Sequence, residues 1–245
     1  MKSAGILTAN KLKIIASVAM LMDHFVSVFY GNNELISLIF RGFGRTAAPV
    51  FCFFIAQGFI FTSSFNKYLI RLLILAVISH FPYNLAFGYS LSPLAATSII
   101  LPLAMGLIAL YVCKNEKYHI IVKLAILAVS CAISYRANWS FFAVLWIVGF
   151  GLFQGNIKKQ IAAFAAVGIF YVLWRFRQFG FFPNENTQWF QLGIFLAIPL
   201  LLLYNGKQGK KSLFMTWFFY VFYPLHLLVL YLLKNFTTFS VLLGR

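Results

Sequence analysis

The polar residues of this chain gather in short clusters that separate long apolar runs. Several of these runs approach the roughly 20 apolar residues that a helix needs to cross a bilayer. Only 10% of the 245 residues are charged and 62% are hydrophobic, whereas soluble domains average about 25% charged residues. The pattern predicts an all-α, polytopic membrane protein. It excludes coiled coils, repeat solenoids and disordered chains.

The polar and helix-breaking residues between the apolar runs predict about nine membrane spans, within a range of about eight to ten. We expect them to form one integral-membrane domain over residues 1–245. The predicted spans are 12–30, 46–62, 69–87, 94–113, 119–134, 139–153, 161–176, 189–204 and 213–233. The fifth and sixth are short for a hydrocarbon core of about 30 Å, so the count depends most on these two.

Lysines and arginines are concentrated in different loops. If the N-terminus is cytoplasmic, every lysine except Lys234 lies on the cytoplasmic side, as the positive-inside rule predicts. The opposite side carries only arginines before the C-terminal tail, at Arg41, Arg45, Arg136, Arg175 and Arg177. Arginine forms forked contacts with phosphate and carboxylate, although these residues could equally snorkel to lipid headgroups. The net charge of +16 thus predicts orientation in a bacterial cytoplasmic membrane rather than nucleic-acid binding.

Four ionisable residues lie near the middle of predicted spans: Asp23, His24, His80 and His226. Ionisable groups inside a membrane are costly, so each is a functional candidate. Two histidines and a carboxylate at similar depth suit general acid and base chemistry, or a proton relay. No metal site is predicted, because the histidines lack a paired ligand spacing on any one helix.

Helix geometry relates the groups of the first span. Asp23 and His24 point about 100° apart, so Asp23 should pair with an arginine or with a histidine of another span. Lys13 precedes His24 by about three turns, which places both on one face about 16 Å apart. The face would carry a cation at the cytoplasmic rim and an imidazole in the membrane. The alternative is an orientation-setting lysine that falls in register by chance.

Two further segments combine glycine or proline with polar side chains. Between Arg41 and Pro49, glycines permit close backbone approach and the proline suits the first turn of a helix. Arg45 could there hold an anion or pair with Asp23. In the last span, Pro224 should kink the helix just before His226. Tyr223 and His226 share a face at i, i+3 spacing. His80, beside Pro82, could equally be a hydrogen-bonded core histidine.

At these residues the chain resembles the TraX family of membrane proteins. The matching pieces are Leu12-Lys13-Ile14-Ile15-Ala16 with Met22-Asp23-His24, Gly44-Arg45 with Pro49 and Phe51, Lys67-Tyr68 with Arg71-Leu72, and Phe219-Tyr220 with Tyr223-Pro224-Leu225-His226-Leu227. The resemblance implies a membrane-embedded acetyltransferase that draws on acetyl-CoA, since the family is associated with acetylation of a pilin N-terminus. The Lys13 to His24 spacing also looks like the basic-residue-x10-His motif of the acyltransferase-3 family.

Residues and resemblance together predict transfer of an acetyl group from acetyl-CoA to an amine or hydroxyl. The expected acceptor is membrane-associated or exported, such as a protein N-terminus, glycan or lipid. His24 would be the general base, and His226 or Arg45 the oxyanion donor. Asp23 would orient or charge-balance the site through Arg45 or His226. Lys13, Arg41, Tyr223 and His80 complete the predicted substrate contacts. Two alternatives stay open: a proton-coupled transporter, which also uses buried His and Asp, and a scaffold without chemistry.

Overall fold

The computed structural model describes residues 5–30, 34–92, 96–180, 188–210 and 212–242. Within these ranges the chain is helical, and pairing of extended backbone is limited to two isolated bridges, Leu7 with Tyr204 and Thr97 with Ala137. The helices are α1 (Ala9–Phe29), α2 (Glu34–Ile36), α3 (Gly42–Gly44), α4 (Ala47–Phe61), α5 (Phe65–Phe87), α6 (Ile100–Lys114), α7 (Ile120–Ser134), α8 (Ser140–Leu152), α9 (Ile157–Phe179), α10 (Ala197–Leu202) and α11 (Leu213–Leu242). A π-helical turn, Ser37–Arg41, joins α2 to α3, and a 3₁₀ helix, Trp189–Leu196, leads into α10.

Short polar side chains fix where the long helices begin. The side-chain oxygens of Thr8, Ser64 and Asn156 accept hydrogen bonds from the first-turn amides of α1, α5 and α9. These caps satisfy amides that have no partner inside a helix. At the other end of α5, Gly88 adopts a φ of 72°, which is open to glycine without strain. The polar clusters seen in the sequence are therefore the helix boundaries.

Five helical segments are long and apolar enough to cross a bilayer: Ala9–Phe29, Leu38–Phe61, Phe65–Phe87, Ile157–Phe179 and Trp217–Phe236. Four shorter apolar segments are Ile100–Lys114, Ile120–Ser134, Ser140–Leu152 and Trp189–Leu202. A helix of 15 residues is about 22 Å long, less than a hydrocarbon core of about 30 Å. The predicted all-helical class is confirmed for the described residues, and the apolar segments support a helical membrane protein, whereas nine complete spans and a cytoplasmic N-terminus stay predictions. Residue 94, the predicted start of the fourth span, lies outside the described residues.

Glycine lets two of the short helices, α6 and α8, pack at close range. A Cβ at Gly106 would lie 2.5 Å from a methyl carbon of Ile147, and one at Gly151 would lie 2.3 Å from Leu110. Such close helix contact at small residues is how membrane helices gain packing energy without a hydrophobic driving force. Around this contact the aromatic rings of Phe142, Trp146 and Phe150 are almost fully buried. The pair α6 and α8 therefore forms a closely packed, buried part of the bundle.

The segment before α1 is tied to the loop that precedes α11. The amide of Leu7 donates to the Leu203 carbonyl at 2.9 Å, and the amide of Asn205 donates back to Leu7 at 2.9 Å. Further along, Ala9 and Asn10 donate to the carbonyls of residues 207 and 208. These bonds hold the first turn of α1 beside the start of α11. The two helices that carry His24 and His226 are thereby brought together.

Candidate functional site

A cavity of about 570 Å³ lies between α1, α4, α5, α6 and α11. This volume falls in the range of small-molecule sites. Its lining is mostly apolar, with Met20, Phe51, Leu72, Leu75 and Leu103 among the wall residues. Polar groups cluster in two places. The Lys13 end comprises Asn10, Lys13, Gln208 and Lys210, and the Asp23 end comprises Asp23, His24, Gly44 and Trp139.

His24 and His226 form a buried pair at the Asp23 end. The Nδ1 atom of His24 lies 2.8 Å from Nε2 of His226, and the two rings are nearly parallel, with an interplanar angle of 7° and centroids 5.1 Å apart. The two residues are only 5% and 6% exposed. Tyr223 meets both rings edge-on, with centroid distances of 6.5 Å to His24 and 5.6 Å to His226. The structure thus brings together three residues that the sequence analysis selected.

The hydrogen bonds of the pair determine which nitrogens carry protons. Nδ1 of His226 lies 2.7 Å from the carbonyl oxygen of Phe222. Because a carbonyl only accepts, this nitrogen must be the donor, which leaves Nε2 of a neutral His226 as an acceptor. Nδ1 of His24 then donates to it, and Nε2 of a neutral His24 keeps its lone pair. His24 lines the cavity, so the cavity wall contains a hydrogen-bond acceptor.

Asp23 pairs with two arginines rather than with a histidine. Its Oδ2 atom lies 2.5 Å from Nη2 of Arg45, and its Oδ1 atom lies 3.3 Å from Nε of Arg41. The expected ion pair between Asp23 and Arg45 is therefore present. All three side chains are largely buried. Two guanidinium groups against one carboxylate give this cluster a net charge of +1.

Close backbone approach makes this cluster possible. A Cβ at Gly44 would lie 2.4 Å from Cβ of Asp23 and 2.9 Å from the Ala19 carbonyl oxygen. On the other side, a Cβ at Gly193 would lie 1.9 Å from the carbonyl oxygen of Gly42. The Arg41–Arg45 turn is thus held between α1 and the 3₁₀ helix at distances that no side chain would permit. This confirms the close approach that the glycines predicted.

Aromatic faces and a polar pair surround the two arginines. The Arg41 guanidinium lies 4.0 Å from the ring centroid of Phe190, and that of Arg45 lies 5.0 Å from the Trp139 ring. Such contacts partly offset the loss of hydration of a buried guanidinium. Tyr171 lies beside Arg45 and donates to Oε1 of Gln191 at 2.5 Å.

Sequence reasoning missed the residues around the arginines. Gln191 carried a usable signal, because it is an amide inside an apolar run. Phe190, Trp139 and Tyr171 resemble ordinary interfacial aromatic residues, so their sequence positions gave none.

Of the remaining predicted site residues, Lys13 lines the cavity and His80 does not. Lys13 lies in the cavity wall, where its Nζ is 5.1 Å from the Phe54 ring and 5.4 Å from the Phe219 ring. Lys13 and His24 therefore both line the cavity, as their spacing on α1 predicted. His80 does not join them, because its ring pairs with Asn84 Nδ2 at 3.0 Å and Thr97 Oγ1 at 3.3 Å. Its role as a substrate contact is not supported by this position.

The other arginines of the predicted outer group do not join the buried cluster. Arg136 and Arg177 are exposed. Nη2 of Arg175 donates to the side-chain oxygen of Gln188 at 3.1 Å. Of the five arginines, only Arg41 and Arg45 contact Asp23.

Comparison with known proteins identifies the family. A family model described as "TraX protein" matches residues 8–234. The chain belongs to the TraX family. It is also 28% identical over 238 residues to the "Probable fimbrial assembly protein FimC, serogroup H1" of Dichelobacter nodosus, covering 94% of this chain and 96% of that relative. No solved structure matches the chain.

These findings confirm the TraX resemblance and correct the activity inferred from it. The relative is named for fimbrial assembly, and neither comparison names an acetyltransferase, so the prediction of an acetyl-CoA-dependent enzyme is wrong. The transporter alternative has no support from them either. The expected ion pair of Asp23 with Arg45 is present beside the His24–His226 pair, so the error concerns the activity and not these contacts.

The partners predicted for that activity lose their basis with it. Neither comparison names acetyl-CoA or an acylated acceptor. The likeness to the acyltransferase-3 family rested on the Lys13 to His24 spacing alone and stays a prediction. The apolar helices support a lipid bilayer as the surroundings of this TraX-family protein.

Proposed function

We propose that this chain acts in the assembly of bacterial pili or fimbriae as a protein of the cell membrane. The observation that carries the proposal is the end-to-end match with a probable fimbrial assembly protein, which covers nearly the whole of both chains. A match of this extent aligns the complete bundle and not a single shared helix. The TraX family match over residues 8–234 covers the same part of the chain.

The architecture supports a membrane-embedded role in that process. Five segments are long enough to cross a bilayer, and the cavity lies among α1, α4, α5, α6 and α11. We extend the proposal to a multi-pass protein of about nine spans with a cytoplasmic N-terminus, in which the four shorter helices complete the bundle. The positive-inside distribution of lysine supports this orientation.

Deletion of the gene tests the proposed role. We expect the deletion strain to make the major pilus or fimbrial subunit at a normal level but to carry few or no assembled filaments. Electron microscopy would count filaments, and immunoblots of sheared surface material and whole cells would separate assembly from synthesis. The wild-type gene supplied in trans should restore filaments. Unchanged filament numbers in the deletion strain would refute the role.

A single substitution in the cavity wall sharpens this test. His24→Phe retains an aromatic ring in the cavity wall but removes the hydrogen bond to His226 and the Nε2 acceptor. Phe25→Leu, at an exposed position of the same helix, is the matched control. If the cavity takes part in assembly, only the His24 variant should fail to restore filaments while accumulating in the membrane.

A further inference from the structure

Lys13 is a partly buried cation in the cavity wall, and no ion pair of the described chain compensates its charge. Both ion pairs of the described chain use Asp23, which is already shared by two arginines. The nearest ring faces, Phe54 and Phe219, offer only cation–π contacts to the Lys13 ammonium. An ammonium group removed from water without an anion is costly. The Lys13 end of the cavity is therefore suited to an anionic group.

A second observation places the ligand beside Lys13. Ser17 is 1% exposed and lines the cavity, and its hydroxyl has no hydrogen-bond partner in the described part of the chain. Ser17 lies one helical turn beyond Lys13 on the same face of α1. Buried hydroxyls are normally hydrogen-bonded, so an unpaired one in a cavity wall indicates a ligand atom or water. Lys13 and Ser17 together present an ammonium and a hydroxyl donor to one place.

The rest of the cavity favours an elongated apolar body. From Lys13 to His24 the face of α1 extends about 16 Å. Along that length the cavity is walled by Met20, Leu72, Leu75 and Leu103. An extended alkyl chain would bury its apolar surface against these side chains. A small hydrated anion alone would leave that part of the wall uncovered.

We propose that this cavity binds an amphiphile whose phosphate headgroup lies at Lys13 and Ser17 and whose alkyl chain extends toward His24. A membrane phospholipid and a free alkyl phosphate share this chemistry. The site does not depend on the role in pilus assembly, because it follows from Lys13, Ser17 and the apolar walls alone.

Binding to the purified full-length protein in nanodiscs of digalactosyldiacylglycerol, a neutral lipid without phosphate, tests the site. Dodecyl phosphate is added from the aqueous phase in one arm, and calorimetry measures saturable binding. In the other arm phosphatidic acid is built into the nanodisc, and native mass spectrometry detects lipid retained on the protein. Saturable binding in the first arm identifies a free alkyl phosphate as a competent ligand, and retention in the second identifies a bilayer lipid. Binding in either arm supports the proposal, and binding in neither overturns it.

Substitution of Lys13 decides whether the headgroup is where we place it. Lys13→Met keeps the length of the side chain and removes the charge, so we expect affinity to fall about tenfold or more. Lys11→Met removes a charge from an exposed position of the same helix and should leave affinity unchanged. Lys13→Arg should retain binding. Equal affinity of wild type and Lys13→Met would overturn the proposal, as would equally tight binding of uncharged dodecyl maltoside.

The walls are tested separately with a variant that fills the cavity. Ser17→Leu places an apolar side chain in the path of the alkyl chain and removes the hydroxyl, so it should abolish binding of dodecyl phosphate. Val18→Leu, at an exposed neighbouring position, is its control. If Ser17→Leu bound the probe as wild type does, the chain could not lie along this face of α1. Filament assembly does not enter these assays, so their failure would leave the proposed function standing.

Discussion

The imidazole rings of His24 and His226 lie edge to edge and nearly parallel, with Nδ1 of His24 2.8 Å from Nε2 of His226. The two residues are 202 positions apart in the chain. Their hydrogen bond joins α1 to α11 next to Pro224, which lies inside α11. In a low-dielectric interior such a bond is strong when satisfied and costly when one partner is lost. The pair therefore links the first and last long helices of the bundle.

The hydrogen-bond chain from Phe222 through both rings predicts the tautomers of the pair. We expect both histidines to carry their proton on Nδ1, because only that arrangement satisfies the Phe222 carbonyl and the contact between the rings. Solid-state NMR of protein labelled with ¹⁵N-histidine would distinguish protonated from unprotonated ring nitrogens. Assignment uses a His226→Gln variant, whose spectrum should lose one ring and shift the other. A proton on Nε2 of His24 in the wild-type protein would contradict the expected arrangement.

Removal of the Asp23 carboxylate should strongly destabilise the protein. Asp23→Asn leaves Arg41 and Arg45 buried without a counter-charge, and breaking a buried ion pair in this way typically costs about 3 to 5 kcal/mol. Thermal unfolding in detergent would show the loss. In the double variant Asp23→Asn/Arg45→Met, part of the cost should be recovered, since one unpaired guanidinium is removed with its partner. Strictly additive losses would show that the two residues do not interact.

Two neighbouring glycines offer a matched test of the close approach between α3 and α1. Gly44→Ala would place a Cβ 2.4 Å from Cβ of Asp23, so α1 or the Arg41–Arg45 turn must shift. We expect a loss of about 1 to 3 kcal/mol, as for other overpacked sites. Gly42→Ala meets only the Phe190 carbonyl oxygen, at 3.8 Å, which is an ordinary contact. Comparable unfolding temperatures for the two variants would refute the steric argument.

Helix periodicity predicted one part of the site, because it relates side chains that lie on the same helix. The shared face of Lys13 and His24 follows from eleven positions of helix, and the cavity confirms it. The arginine partners of Asp23 could also be predicted from the sequence, because few charged residues lie inside the membrane. What spacing could not show is which helices meet. The contact between His24 and His226 depends on the packing of helices at opposite ends of the chain.

The number of membrane spans could not be fixed from the sequence, for a different physical reason. Hydropathy detects whether a segment could lie in lipid. A helix of 13 residues such as α8 is equally apolar because it is buried inside the bundle. Apolarity therefore does not distinguish a short span from a protein-buried helix. The activity was misjudged for a similar reason. Buried His and Asp indicate a polar site in the membrane, but not whether it binds, reacts or stabilises.

His80 should behave unlike His24 in the filament assay. His80 is hydrogen-bonded to Thr97 and Asn84 away from the cavity lining. His80→Ala loses these bonds at about 0.5 to 1.5 kcal/mol each and should still support filament assembly. His24→Ala breaks the bond to His226 and removes an acceptor from the cavity, so filaments should be reduced. Unfolding in detergent would control for stability. Loss of filaments in a stable His80→Ala protein would place His80 in the functional site.

The proposed orientation predicts which loops a reagent outside the cell can reach. With a cytoplasmic N-terminus and nine spans, the loop between α6 and α7 is cytoplasmic, and the loop between α7 and α8 faces outward. Lys117 and Tyr135 are exposed positions in these loops. In a variant whose own Cys113 and Cys131 are replaced by serine, Tyr135→Cys should react with a membrane-impermeant maleimide in intact cells. Lys117→Cys should react only after the cells are opened. The reverse pattern would invert the orientation, and equal labelling in intact cells would show that α7 does not cross the membrane.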